Sequence, residues 1–326
     1  PAARVVDAFR VMQQARHIGK VVVSLTDAVP HIERQAEPQL ALQFEKDSTW
    51  LVTGGLSGFG LESARWLAAR GVGHLALVGR RGLETPGAQE AIETLQTAGV
   101  KVRAVACDIT DRAALGSAFE RIRKTLPPLK GVLHAAAAFD DALIANLDDQ
   151  RMADVLRPKL LGAWNLHQLT VDIPLDHFVL YSSVTTFIGN PGQANYVAAN
   201  AGLEGLAAMR HAMGLPATCI GWGPIGDAGY LTRNEAVKDS LAQRLGKAPL
   251  AAAEALDQLD RLLKADSGPH AIANFDWPVL SRLLPSATSA RFAELNRHVK
   301  DMVSAEDSMD FRALIAGKSA ADVTDI

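Results

Sequence analysis

Cysteine is scarce in this chain: Cys107 and Cys219 are the only two among 326 residues. Each sits in an apolar stretch and reads as a buried thiol behaving as a small hydrophobe. That reading leaves no disulfide framework and no thiolate metal site, so no metal is expected, and a reducing cytoplasm fits. An excess of one charge is also lacking. The 33 Lys and Arg against 36 Asp and Glu leave a net charge of −3. No long-range field therefore favours nucleic acid or an anionic membrane surface, and neither is expected as a partner. Apolar runs are short, none approaching the roughly 20 residues needed to span a bilayer. No internal repeat is found.

What is present is ordinary globular material, 48% hydrophobic and 21% charged. The length can hold one large α/β domain with extensions, or two small domains. The chain opens Pro1-Ala2-Ala3-Arg4 and runs directly into a helical pattern, so a fragment of a longer protein is expected. Residues 4–17 carry apolar positions at helical spacing: Val5, Ala8, Phe9, Met12 and Ala15. Lys20–Leu25 reads as a strand, and a polar stretch with Pro30 and Pro38 reads as a linker to about residue 48.

From Thr49 the texture becomes a regular alternation. Apolar strand-like runs at 50–53, 74–79, 101–106, 131–135, 177–182 and 217–222 are separated by helical patterns at 58–70, 87–98, 111–125, 148–170 and 197–213. Each right-handed crossover between parallel strands needs a helix to return the chain. The expectation is therefore a Rossmann-type doubly wound α/β fold, a parallel sheet with helices on both faces. Beyond residue 224 the alternation weakens to a helix at 254–264, a last strand at 270–275 and a short helix at 277–284. From Pro285 the sequence is polar and Ala-rich. The expected divisions are 1–48 (tail and linker), 49–285 (catalytic domain) and 286–326 (C-terminal helix and exit linker).

The first strand ends in Thr53-Gly54-Gly55-Leu56-Ser57-Gly58-Phe59-Gly60 and opens a helix. Glycines there let the backbone approach a pyrophosphate, whose charge sits on the helix N-terminus. A tight structural turn would look similar, but this one also starts a βαβ series. An acidic residue ending the second strand would hold a ribose 2′-hydroxyl and select NAD. That strand ends instead in Val78-Gly79-Arg80-Arg81, guanidiniums suited to a 2′-phosphate. NADPH (NADP) is the expected cofactor; a solvated basic turn is the alternative. Asp108 and Ile109 close the third strand, where Asp108 could accept from the adenine amino group or could cap the helix starting near Asp111.

Two stretches carry a family resemblance: Leu180-Tyr181-Ser182-Ser183, and Gly192-Gln193-Ala194-Asn195-Tyr196-Val197-Ala198-Ala199-Asn200. They resemble the short-chain dehydrogenase/reductase family, in which a Ser at a strand end and a Tyr opening the next helix share a carbonyl-binding site. Ser183 precedes Tyr196 by 13 positions, the family spacing. The usual Lys four residues after Tyr is absent; Asn200 stands there. However, Arg157-Pro158-Lys159-Leu160-Leu161-Gly162-Ala163-Trp164-Asn165-Leu166-His167 resembles the ketoreductases of modular synthases, where Lys and Asn have exchanged helices. The resemblance implies a catalytic set of Tyr196, Ser183, Lys159 and Asn200.

The chemistry supports that set. Hydride addition to a ketone builds charge on oxygen and calls for a proton donor and a second hydrogen bond. Tyr196 would give the proton, Lys159 would stabilise the phenolate and hold the nicotinamide ribose, Ser183 would bond the substrate oxygen, and Asn200 would orient Lys159 or a relay water. Each residue also has a plain reading as a turn former, a helix aromatic or a solvated polar group.

The wider resemblance covers roughly 49–280. Ala135 and Ala136, after His134, match the segment lining the nicotinamide ribose, and His134 reads as structural. Pro224 and Ile225 match the loop whose backbone holds the carboxamide, with 226–247 as a lid. Phe139-Asp140-Asp141 stands where Leu-Asp-Asp marks ketoreductases giving the B-type, D-configured alcohol, although both Asp could simply cap a loop. The A-type marker, a Trp eight residues before Tyr196, is replaced by Ile188. Gln193 joins these as a substrate-side residue.

Residues 8–21 resemble the C-terminal end of an enoylreductase. The resemblance implies reduction of a β-ketoacyl group on the phosphopantetheine of an acyl carrier protein, inside a type I polyketide or fatty-acid synthase. Neighbouring enoylreductase and dehydratase domains and an upstream structural half of the ketoreductase are its implied partners. The competing readings are a free-standing short-chain reductase of small ketones and a catalytically silent structural domain.

Overall fold

The computed structural model describes residues 5–14, 21–22, 42–264 and 270–297. The chain divides into two compact units, Pro1–Ala41 and Leu42–Ile326. In the first, the expected N-terminal helix is α1, Val5–Gln13. Of the strand expected at 20–25 only Val21 and Val22 are described, and they are not in a strand; the rest lies outside the described residues, as do 298–326 of the expected exit segment.

The second unit alternates strand and helix as its apolar periods dictate. In chain order it contains β1 (Thr49–Thr53), α2 (Gly58–Ala69), β2 (His74–Gly79), α3 (Ala88–Thr97), β3 (Lys101–Ala106), α4 (Arg112–Thr125) and β4 (Leu129–His134). There follow α5 (Asp149–Leu156), a wide π-type turn at Arg157–Leu161, α6 (Gly162–Thr170), β5 (His177–Ser183), α7 (Thr185–Ile188), α8 (Ala194–Ala212) and β6 (Thr218–Trp222). Then come α9 (Glu235–Leu245), α10 (Ala252–Lys264), β7 (His270–Ile272) and α11 (Trp277–Leu283). The seven strands form one sheet in the order β3-β2-β1-β4-β5-β6-β7, every neighbouring pair parallel. This is the doubly wound fold.

The inner strands are mostly apolar because both sheet faces are covered, whereas β3 at the edge carries Lys101 and Arg103. Alternate residues of one strand feed two different cores. Trp50, Val52, Leu75, Leu77, Val179 and Tyr181 face α2, α3 and α10. Leu51, Ala76, Val78, Phe178 and Leu180 face α4, α6 and α8. A third, smaller cluster joins Val184 and Ile188 to Leu245, Leu280 and Phe292. Residues just ahead of β1 also belong to this unit: Phe44 packs edge-on against Trp50 and Trp66, and the Leu42 amide donates to Asp260 at 2.8 Å.

The strand order reverses between β1 and β4, so the loops leaving those two strands diverge and open a crevice at the carboxyl ends. Most of the residues expected to carry chemistry lie at that edge.

Candidate active site

A cleft of about 1220 Å³ opens there, walled by the loops after β1 to β6 and by α9. Its floor is the glycine turn. Gly58 has φ +55°, and a Cβ on it would stand 2.8 Å from the Gly229 Cα, so only glycine fits. A Cβ on Gly60 would meet the Gly54 carbonyl oxygen. Ser57 precedes α2 in extended conformation with no side-chain cap, which leaves the first-turn amides free for an anion. This fits a dinucleotide pyrophosphate.

The rest of that motif divides its work. Thr53 is fully buried; its hydroxyl meets His134 Nδ1 at 2.7 Å and accepts from the Ala136 amide at 3.4 Å. Gly55 is not on the cleft wall and instead packs where a Cβ would come 2.9 Å from Val52. Ser57 and Phe59 do line the cleft.

At the end of β2, Arg80 and Arg81 are exposed on the cleft rim, and among the described residues neither forms an ion pair. Asp108 and Ile109 line the same end. Asp108 accepts from the Thr110 amide at 2.9 Å, whereas the cap of α4 is Asp111, which accepts from Ala113 and Ala114. Ala135, Ala136, Pro224 and Ile225 complete the wall. Backbone pairing of Pro224 and Gly226 with Leu250 holds the last two in place.

Lys159 reaches the site by an interruption in a helix. Pro158 has no N–H to give to the preceding turn, so the α ladder fails and a π-type turn takes its place between α5 and α6. Lys159 is only 2% exposed. Its Nζ donates to the Tyr181 carbonyl at 2.7 Å and lies 5.3 Å from the centre of the Tyr196 ring. Burial lowers its pKa from 10.5 to about 8, so the amine is a cation at neutral pH.

Tyr196 is half-buried in the first turn of α8. Burial pushes its phenol up to about 12, against the opposing influence of the Asn200 and Ser183 side chains. Ser183, last in β5, accepts from the Thr185 amide at 3.2 Å and the Thr185 hydroxyl at 3.0 Å. Those two bonds occupy its lone pairs and leave its own proton to donate. Asn200 is fully buried and off the cleft wall. Its amide nitrogen donates to the Tyr196 carbonyl at 2.7 Å, and its Oδ1 has no partner among the described residues.

The 139–141 loop separates into three roles. Phe139 packs between Tyr196 and Tyr230, with ring centres 4.8 and 4.9 Å away. Asp140 leaves the cleft and pairs with Arg151 at 3.1 Å. Asp141 lines the cleft and accepts from Gln193 at 2.8 Å. The sequence reading did not reach what lies beyond Gln193. Its Oε1 accepts from Asn190 at 2.8 Å, and Asn190 Oδ1 accepts from Arg244 of α9 at 3.2 Å. Asn190 sits in a Gly-Asn-Pro-Gly stretch whose composition signals only a turn, and Tyr230 and Arg244 come from the 226–247 stretch expected to act as a lid.

The KR domain family model matches residues 48–227. The chain is 44% identical over 294 residues to Pks1 of Mycobacterium tuberculosis, a type I polyketide synthase of phenolphthiocerol synthesis whose name carries the label inactive; the match covers 89% of this chain and 17% of that protein. It is equally 44% identical over 294 residues to the phenolphthiocerol synthesis polyketide synthase Pks15/1 of Mycobacterium bovis, covering 89% and 13%. A solved A1-type ketoreductase superposes with TM-score 0.73 at 37% identity, over 79% of this chain and 54% of that one. The chain thus spans less than a fifth of these two synthases and about half of the solved ketoreductase.

Proposed function

This chain belongs to the KR domain family, and on that premise we propose that it reduces a β-ketoacyl thioester on an acyl carrier protein to the β-hydroxyacyl thioester, using NADPH. Membership makes it an oxidoreductase that works with a nicotinamide cofactor; the NADPH preference, the carrier-bound substrate and the residue roles are our reading. One observation carries it: the Tyr196 phenol, the donor-ready Ser183 hydroxyl and the Lys159 ammonium meet at the cleft, beside the glycine turn.

The glycine turn and the α2 N-terminus would hold the pyrophosphate, Arg80 and Arg81 the 2′-phosphate, and Ala135, Ala136, Pro224 and Ile225 the nicotinamide end. When bound there, the cofactor supplies the hydride. Ser183 donates a hydrogen bond to the ketone oxygen and so fixes the carbonyl. Tyr196 gives its proton to that oxygen as charge develops on it. Lys159 holds the resulting phenolate in its field, offsetting the burial that otherwise makes the phenol a reluctant acid. Asn200, bonded to the Tyr196 backbone, keeps that turn of α8 in register.

Asp141 and Gln193 lie where they can select the face of the ketone, and with Phe139 they support a B-type, D-configured product. Such a product suits a dehydratase acting next. The partners implied by this reading are the acyl carrier protein, flanking enoylreductase and dehydratase domains and an upstream structural half; that the relatives are polyketide synthases several times longer than this chain supports partner domains in general. The proposed divisions are 1–48, an enoylreductase tail and linker; 49–285, the catalytic ketoreductase; and 286–326, leading to the carrier. A cytoplasmic synthase agrees with the lack, among the described residues, of any helix able to cross a membrane.

The test is NADPH oxidation against β-ketoacyl thioesters of carrier protein and pantetheine, with simple ketones alongside and the alcohol resolved on a chiral column. Faster turnover of thioesters to the D-configured alcohol is expected. A preference for simple ketones would favour a free-standing reductase, and an L-configured product would overturn the stereochemical part.

A further inference from the structure

We propose that His134 is a positioning residue for Lys159: its ring bridges the end of β1 and the π-type turn, and so holds the ammonium against the Tyr196 ring. This inference rests on the reductase reading given above. His134 is the last residue of β4 and is 1% exposed. Its Nδ1 lies 2.7 Å from the Thr53 hydroxyl and its Nε2 lies 2.9 Å from the Lys159 carbonyl oxygen.

A carbonyl can only accept, so Nε2 must carry a proton. In the neutral ring Nδ1 then accepts from Thr53, and one tautomer satisfies both contacts. Protonation would put a second cation beside Lys159 in a dry site; burial and that ammonium together hold the ring's pKa down at about 3. The imidazole therefore stays neutral at any working pH. It is a strut and takes no part in proton transfer.

The π-type turn explains why a strut is needed. Pro158 removes a backbone donor at the point where Lys159 must be aimed. The Gly162 amide still reaches the Lys159 carbonyl from within the turn, and two external contacts add to it. His134 of β4 holds the Lys159 carbonyl, and the Tyr181 carbonyl of β5 holds its ammonium. These strands are paired, His134 opposite Leu180, so Lys159 is pinned at both ends to one rigid piece of sheet. The first residue of α6 is glycine, where a Cβ would lie 3.5 Å from His134 Cε1 and 2.6 Å from Ile109 Cδ1. The turn is thus seated closely on the ring. The same ring touches Thr53, which opens the glycine turn, so one side chain sets the lysine relative to the cofactor loop.

The two nitrogens can be separated by substitution. In His134→Gln an amide nitrogen falls near the position of Nε2 and can still donate to Lys159. In His134→Asn the amide falls near Nδ1, keeps Thr53 within reach and abandons the Lys159 carbonyl. Lys159 exposure is read by limited acetylation with acetic anhydride and peptide mass spectrometry, and kcat and the KM for NADPH are measured on the same proteins.

The Asn variant should acetylate Lys159 about tenfold faster and lose about tenfold in kcat, the worth of one buried hydrogen bond, with KM changed far less. The Gln variant should stay near the parent in both. Equal acetylation in parent, Gln and Asn proteins, or equal damage in both variants, overturns the proposal. Should the Asn variant not fold, nitrogen NMR of the unmodified protein decides. A neutral ring protonated on Nε2 between about pH 5 and 8 is expected; a ring protonated on Nδ1, or a charged ring, overturns it. Acetylation and NMR read the strut without turnover, so a parent protein that reduces no thioester would count against the reductase reading while these results still judged His134.

Discussion

Lys159 carries a stability cost that the proposed reaction would explain. Its ammonium is buried against a carbonyl and an aromatic ring, and among the described residues no carboxylate pairs with it. Moving its pKa from 10.5 to about 8 corresponds to a penalty of about 3 kcal/mol on the folded state at neutral pH. The sign follows from linkage. Between about 8 and 10.5 the unfolded chain binds the proton and the folded one does not, so the Lys159 contribution to stability rises with pH across that window and is lost as pH falls toward 8. On the proposed mechanism activity should run the other way, falling above about 8 as the cation beside Tyr196 disappears. Lys159→Met should therefore melt higher than the parent at pH 7 while losing most of its turnover. A lower melting temperature at pH 7 would contradict the account.

At this scale the sequence was informative where chemistry demands particular atoms. Tyr196, Ser183 and Lys159, singled out through the resemblance and the needs of ketone reduction, do line one cleft. Gly55 and Asp140 share motifs with cleft residues, yet the structure turns them to packing and to an ion pair with Arg151. Asn190 gave no signal beyond a turn, and Tyr230 and Arg244 were reached only as members of the 226–247 stretch, because their places depend on contacts with Phe139 and Asn190 and not on local pattern.

Among elements, those with a strong apolar period were legible and those defined by tertiary contact were not. The strands stood out because two covered sheet faces demand mostly apolar runs. The π-type turn was hidden, since the helical period runs on through Pro158 from α5 into α6. The α9 helix escaped because Leu245 is its only buried residue, while Val237, Leu241 and Arg244 line the cleft. The β2 turn carries its own prediction. Two exposed guanidiniums, with no carboxylate at that strand end, are the features that would distinguish the cofactors. Replacing Arg80 and Arg81 together with Ala should raise the KM for NADPH by about tenfold or more, the scale of a lost charge-assisted bond, and leave that for NADH nearly unchanged. Equal effects on both would remove the argument for NADPH.

At the largest scale, the place of the cleft follows from topology. A reversal of strand order between β1 and β4 opens the crevice, the glycine turn floors one side, and β5 with α8 brings Ser183 and Tyr196 to the other. The order of elements was readable from alternation alone, but pairing was not, because a strand's neighbours are chosen by crossovers that the sequence does not encode locally. The most direct measurement is turnover and NADPH binding in Tyr196→Phe, which deletes one oxygen from the point where the whole arrangement converges. The account predicts that NADPH fluorescence titration matches the parent while reduction of a β-ketoacyl thioester falls by 10² to 10⁴-fold, roughly the worth of a positioned acid. Retention of a substantial part of the parent rate would contradict it.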